Sequence, residues 1–440
     1  MAGEISMDSY QVAFEESLSK MPSIVIETLI KKKLGEQNIR LSDDAFKKLI
    51  KHVFDKNEGE LEIPDEDIEF IDREPGALLL HFTKADREKI DKETKALLKG
   101  MPKLIRKLTK KMSKDVVKRS KLQWLEDFGV RKSEMDAFTA RLSYRWSAGL
   151  IPLNVMLEVA REFGEAVIHS HREQIDKGTL SKRRDVLFAL HNRACQVVAE
   201  IITLLEAGYA DGAMARWRTL HELTVVADII HDGDDYLAER YLDHNVVDSK
   251  KAADKYMDTL KFTGFEPIAH EELEQIKSDF DIMIAKHGKN FGFEYGWASE
   301  ITGNQKNPKF IDLIKKSKRE SQQPFYKMAS FNVHANARSL FFRHTNMASH
   351  SGVIAGASNA GLCEPGVNTA YSLCQISANI MPDEDPILDN LIAVETLRRL
   401  RDKSAKGFDL ASQKLEDEDL EFFENGPNEE FYIIDEETLE

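Results

Sequence analysis

Two consecutive stretches constrain this chain most: "VLFALHNRACQVVAEIITLLEAG", ending at Gly208, and "ADGAMARWRTLHELTVVADIIHDG", ending at Gly233. Each repeats apolar residues at helical spacing and closes on glycine, the residue that best tolerates a left-handed helix terminus. With only a short loop between them they predict an antiparallel αα-hairpin. On a helical wheel Leu187, Ala194, Val198, Ile201 and Leu205 form the buried arc of the first helix, with His191 in its middle. The second buries Trp217, Leu220, Leu223, Ala227 and Ile230, and Arg216 falls inside that arc. A charge there needs an acid, since leaving it unpaired costs several kcal/mol. Glu200 or Glu206 of the first helix is the expected partner. Arg218 and Glu222, four residues apart, should pair along the helix, with His221 at the border.

Helical patterns continue on either side, which makes the fold class all-α. The expected organisation is a charged N-terminal region of α or α+β type (1–134), a multi-helix central domain (135–382), a C-terminal helix or linker (383–414) and an acidic tail (415–440). In the N-terminal region "SIVIETLIKKKLGEQNIRLSDDAFKKLIKHVF" predicts two helices, the second capped by Ser42. "GELEIPDEDIEFIDREPGALLLHF" alternates and carries Pro and Gly, so it predicts a hairpin or loop. A single long helix is expected over "YKMASFNVHANARSLFFRH" (326–344).

The net charge of −15 is unevenly placed. Glu416 to Glu440 holds twelve acids and no base, a composition that predicts disorder for the tail taken alone. Lys95 to Lys121 holds eleven Lys or Arg against one acid, Asp115, around an apolar stripe of Leu97, Met101, Leu104, Leu108 and Met112. Such a helix can neutralise nucleic-acid phosphates, meet a protein partner, or receive the chain's own acidic tail. No run approaches ~18 apolar residues, so no membrane partner is expected. The three cysteines have no CxxC spacing and no leader sequence is visible, which places the chain in the cytoplasm. Composition leaves homo-oligomerisation open.

The candidate chemistry lies on two faces. Lys327, His334 and Arg338 fall on one stripe with Phe331 and Phe341. A histidine flanked by two cations could move a proton beside a phosphate, so these three are the expected catalytic group. Arg216, His221 and Glu222, with Arg240 and His244 of "AERYLDH", are the expected substrate-binding residues. No metal-ligand spacing and no GxGxxG or GK[ST] phosphate loop occurs, so neither metal nor cofactor is expected. "GASNAGLCEPG" (356–366) is glycine-rich and reads as a plain loop.

The motifs "LHNRACQVVAEIITLLEAGYADGAMARWRTLHELTVVADII", "AERYLDH", "YGWA", "YKMASFNVHANAR" and "GASNAGLCEPG", in that order over residues 136 to 380, resemble an uncharacterised bacterial helical family, a domain of unknown function. The architecture is more loosely similar to HEPN-type helical domains of defence and toxin systems, whose ribonucleases carry Arg-x(4–6)-His. Four such pairs occur here: Arg184/His191, Arg216/His221, Arg338/His344 and Arg343/His350. That number is little above what 22 arginines and 13 histidines produce by chance. Two functions follow as expectations. One is a HEPN-like, metal-independent ribonuclease or nucleotide-binding effector in phage defence or stress response. The other is a non-catalytic helical scaffold or sensor that binds a protein partner.

Overall fold

A computed structural model describes residues 12, 14–16, 21–56, 59–72, 74, 76, 78–303, 306–335, 337–340, 354–382 and 388–425. The chain divides into two compact units, 1–129 and 130–440.

In the first unit α1 (Met21–Glu36) and α2 (Asp43–Asp55) flank β1 (Ile39–Leu41). Ser42 caps α2 as expected, its hydroxyl accepting from the Ala45 amide at 3.2 Å. The stretch expected as a hairpin or loop supplies β2 (Ile68–Phe70), paired antiparallel with β1, Ile39 opposite Phe70. Its strand partner thus lies across α2, not within the stretch. Ile30, Leu34, Ile39 and Leu49 form the small core beneath. The helix α3 (Lys84–Arg145) starts on a cap made by Asp86, which accepts from the Thr83 amide and hydroxyl at 2.8 Å each. Lys33, 2.8 Å away, and these donors hold the Asp86 carboxyl down at about 2. All eleven basic residues between Lys95 and Lys121 are exposed. Leu97, Leu98, Leu104, Ile105 and Leu108 are exposed with them, so the apolar stripe of this helix is uncovered among the described residues.

The second unit is a helical bundle. Its elements are α4 (Ser147–Ser170), the one-turn α5 (Arg172–Asp176), α6 (Lys182–Glu206), α7 (Ala210–His231), α8 (Asp235–Asp243), α9 (Asn245–Thr263) and α10 (His270–His287). After a loop follow α11 (Phe310–Lys316), α12 (Gln323–Val333), α13 (Cys363–Ala378) and α14 (Leu388–Asn425). The expected hairpin is α6–α7, and Gly208 between them has φ +78°. A Cβ at Gly208 would lie 2.8 Å from the Ser358 carbonyl oxygen, so glycine is needed there for space as well as for φ. The glycine-rich loop docks on this turn: Ser358 donates its amide to the Gly208 carbonyl, and Asn359 accepts from the Trp146 indole at 3.1 Å. Its polar groups are used inside the fold.

α7 is packed on several sides, by α6, α11, α12 and α13. That explains one difference from the wheel. The buried face runs through Trp217, His221, Thr224 and Asp228 as well as Leu220, so polar residues share it. Thr224 satisfies its hydroxyl on the Leu220 carbonyl at 2.8 Å.

α14 closes the bundle against α4 and α13 through glycine contacts. The Phe408 ring sits where a Cβ on Gly149 or Gly366 would come within 2.6 or 2.5 Å. A Cβ on Gly407 would lie 2.0 Å from the Ala148 carbonyl oxygen. The stretch read as an acidic tail begins inside α14, where Leu415 and Asp419 are buried and Glu418 pairs with Arg145. Residues 426–440 lie outside the described residues.

Gly407→Ala should therefore cost about 3 kcal/mol, because backbone cannot yield as a side chain can. Gly100→Ala, with nothing within 4 Å of the new Cβ, should gain about 0.5–1 kcal/mol from helix propensity. Denaturant unfolding of the two variants measures both.

Candidate functional site

α7 presents Arg218 and Glu222 on successive turns toward α12. Arg218 Nε lies 3.2 Å from Glu222 Oε1, the ion pair the spacing predicts. The tertiary structure adds Tyr326 of α12. Its hydroxyl donates to Glu222 Oε1 at 2.7 Å and accepts from Arg218 Nη2 at 2.9 Å, while the guanidinium lies 4.9 Å from its ring centre. Burial and the bond to Glu222 push the Tyr326 phenol upward, so it remains a proton donor. Arg218 also donates to His334 Nε2 at 3.3 Å, which makes that nitrogen the acceptor.

The expected catalytic stripe does not form as one helix. α12 ends at Val333, and His334 turns extended at φ −110°, ψ 135°. A separate 3-10 turn, Ala337–Leu340, carries Arg338. Weak helix formers, Asn332 and Val333, end the segment, and His334 and Ala335 are exposed, so no buried face pulls the helix onward. Arg338 stacks over Phe331, 5.3 Å from its centre. Lys327 is exposed. His334 therefore meets Arg218 in place of the Lys327–Arg338 pair. Phe341, Arg343, His344 and His350 lie outside the described residues.

The expected binding residues separate. Arg216 pairs with Glu200 across the hairpin, one of the two acids foreseen, but is only half-buried, at the edge of the arc that was to enclose it. Glu206 accepts instead from Asn154 Nδ2 at 3.0 Å. His221, placed at the border by the wheel, is fully buried among Trp217, Phe310 and Tyr326, with ring centres 5.2, 6.3 and 5.4 Å away. Neither of its ring nitrogens makes a well-formed hydrogen bond among the described residues. Burial first, and then the Arg319 charge, lower its pKa to about 4. His191 is likewise lowered to about 4 by burial, with Nε2 3.1 Å from Ser377 Oγ. Arg184 donates to the carbonyls of Ile380 and Met381. Arg184 and His191 thus both bond to the end of α13 and the residues just after it, whereas Arg216 and His221 lie in separate settings.

Arg240, expected among the substrate-binding residues, is 1% exposed. Its guanidinium donates to the carbonyls of Trp297 (3.0 Å) and Gly296 (3.1 Å), to Ser299 Oγ (3.2 Å) and to Glu300 Oε1 (2.6 Å). These bonds fix the "YGWASE" turn, in which a Cβ on Gly296 would lie 2.1 Å from the Phe291 carbonyl oxygen. His244, also buried, meets the Phe293 carbonyl at 2.8 Å. His287 completes the support, Nε2 2.8 Å from Asp243 Oδ2.

The turn that Arg240 fixes forms a wall of a cleft of about 420 Å³. Tyr241, Tyr295, Trp297 and Phe310 give it aromatic sides. Glu222, Asp248 and Glu294 put three carboxylates on its lining, and no Lys or Arg lines it among the described residues. The field is felt by the tyrosines. Burial and the Glu294 and Glu222 carboxylates push Tyr295 up to about 12, and burial with Asp248 raises Tyr241. A second, polar cleft of about 400 Å³ has Asp228 on its lining. There Asp228 pairs with Arg319 and accepts from Asn379 at 2.7 Å and Gln375 at 3.3 Å. Tyr326, Phe310, Tyr295, Asp248 and Glu294 escaped the sequence reading. Tyr326 stands next to Lys327 in a quoted motif, but nothing in its spacing tied it to Glu222, 104 residues earlier.

Arg240→Ala should cost about 3–5 kcal/mol, since its acceptors lose a buried cation together; thermal and denaturant unfolding read the loss. A folded-state histidine pKa of about 4, against about 6.5 unfolded, means the unfolded chain binds the proton first as pH falls. The stability held by neutral His221 is whole above pH 6.5 and is lost progressively toward pH 4. His221→Phe should flatten the fall in Tm between pH 6.5 and pH 5, and an unchanged slope would show that other groups carry it.

Among the described residues no helix is long and apolar enough to cross a membrane. No curated protein and no solved structure matches the chain. Residues 184–352, which hold the Arg218–Glu222–Tyr326–His334 group and the walls of the aromatic cleft, match the family model of DUF5677, a family of unknown function.

Proposed function

We propose that the helical unit is a non-catalytic sensor, in which the aromatic cleft receives a small ligand and the Arg218–Glu222–Tyr326 link passes its occupancy to α12 for a protein partner to read. One observation carries this reading: the arginines of α7 and α8 that could meet a substrate, Arg216, Arg218 and Arg240, are spent inside the fold. Arg240 is saturated by carbonyl and carboxylate acceptors, Arg216 by Glu200, and Arg218 by Glu222 and Tyr326. A guanidinium already facing a carboxylate offers little net charge to an incoming phosphate. Glu222 belongs at once to the cleft lining and to the Tyr326 bond, so a ligand that engages it acts on α12 directly. Exposed lysines along α3 supply a surface for an acidic partner.

The ribonuclease reading has one observation in its favour. His334 is exposed and bonded to Arg218, an imidazole with a cation at hand. Expression of the wild type and of a His334→Ala, Arg218→Ala double variant separates the two readings. The sensor leaves growth and cellular RNA intact in both strains. RNA degradation by the wild type that disappears in the double variant overturns the sensor and installs the nuclease.

A further inference from the structure

The aromatic cleft has a chemistry that selects its ligand by charge. Four rings face one cavity, Tyr241 and Trp297 meeting edge to face with centres 5.0 Å apart, and Tyr295 and Phe310 lying 5.9 Å apart. Ring faces carry negative quadrupole potential and attract cations, more strongly where water is partly excluded. The carboxylates at the cleft act in the same direction. The Asp248 side chain is 66% exposed and Glu294 is exposed, so both reach a ligand at the mouth without disturbing the core. Glu222 lies further in, held by Tyr326 and Arg218. With no Lys or Arg on the lining among the described residues, an anionic ligand would meet repulsion from the Asp248 and Glu294 carboxylates, while Glu222 has its charge answered by Arg218. His244, the lining's one histidine, is lowered by burial and hence inclined to neutrality, so it does not offset that charge. Arg240, the nearest buried cation behind the wall turn, has its charge answered by Glu300.

We infer that the cleft walled by Tyr241, Tyr295, Trp297 and Phe310, with Asp248 and Glu294 at its mouth and Glu222 within, binds an organic ammonium cation. The ammonium groups sit against the ring faces and the carboxylates, and the alkyl chain covers apolar ring surface. The volume admits a small molecule, not a folded partner. This assignment rests on the sensor reading for its purpose, but its evidence is the cleft itself.

Isothermal titration of the full chain tests it, with spermidine as a multivalent ammonium, choline as a monovalent one and adenosine monophosphate as an anionic comparison. At least one cation should bind, more weakly as salt rises. The Asp248→Asn, Glu294→Gln double variant should weaken it at least tenfold. Tyr295→Leu should weaken it without any change of charge. A control, Asp417→Asn with Glu421→Gln on exposed positions of α14, should bind as the wild type does. Absence of heat with both cations overturns the assignment, as does equal affinity in the wild type and the Asp248/Glu294 variant, which would mean diffuse attraction to an acidic protein. Tighter binding of adenosine monophosphate than of either cation overturns it too. RNA degradation bears on the sensor reading alone, and the titrations bear on the cation alone.

Discussion

The arrangement of the cleft depends on one buried cation. Arg240 leaves water to hold a turn built on the short 3-10 segment Gly296–Ala298, and a guanidinium is suited to this because its planar fork donates in several directions at once. Two of its acceptors are main-chain carbonyls of the turn, two are the hydroxyls of Ser299 and Tyr236, and one is the Glu300 carboxylate. The ring of Phe291 lies 5.3 Å beneath the guanidinium, so the charge is met on its face as well as at its edge. Without that centre the Trp297 carbonyl would lose the Arg240 donor and the Gly296 carbonyl would keep the Ser299 amide alone, so the turn that carries Tyr295 and Trp297 would lose its anchor.

The second structural theme is the use of α7 as a helix with several partners. A helix at the edge of a bundle separates apolar and polar faces cleanly. α7 does not, because α6, α11, α12 and α13 all pack against it. Its polar residues are therefore recruited one by one: Arg216 to Glu200, Arg218 and Glu222 to Tyr326, Asp228 to Arg319 and Asn379. His221 is the exception, neutral within an aromatic enclosure. Its cost is moderated by the ease with which a neutral imidazole, unlike a charged one, is held among rings.

The same residues bear on function. His221 and Arg240 are buried and act as supports, Arg216 is held at the edge of its arc by Glu200, and His244 is a buried member of the cleft lining. Open to solvent are the acid-and-aromatic cleft that Glu222 helps to line and, among the candidate histidines, the His334 imidazole bonded to Arg218. Glu222 is the hinge between them, a member of the cleft lining that is also bonded to α12.

Sequence periodicity alone determined the helical class, the α6–α7 hairpin with glycine at its turn, the Ser42 cap, the basic helix and the Arg218–Glu222 pair. All of these are set by spacings within one element, where 3.6 residues per turn fixes which side chains meet. Sequence also narrowed the partner of Arg216 to two acids, of which Glu200 is the one used. Only the tertiary structure decided the rest. Whether a residue on the arc's margin is buried depends on how many helices surround its own, which moved His221 and Arg240 inside and Arg216 toward the edge. α12 ends at Val333, with His334 and Ala335 exposed after it, and Arg338 lies on a separate 3-10 turn. The cleft joins α7, α8, α9 and the turn before α11, and no spacing in one dimension records which rings will face one another in three.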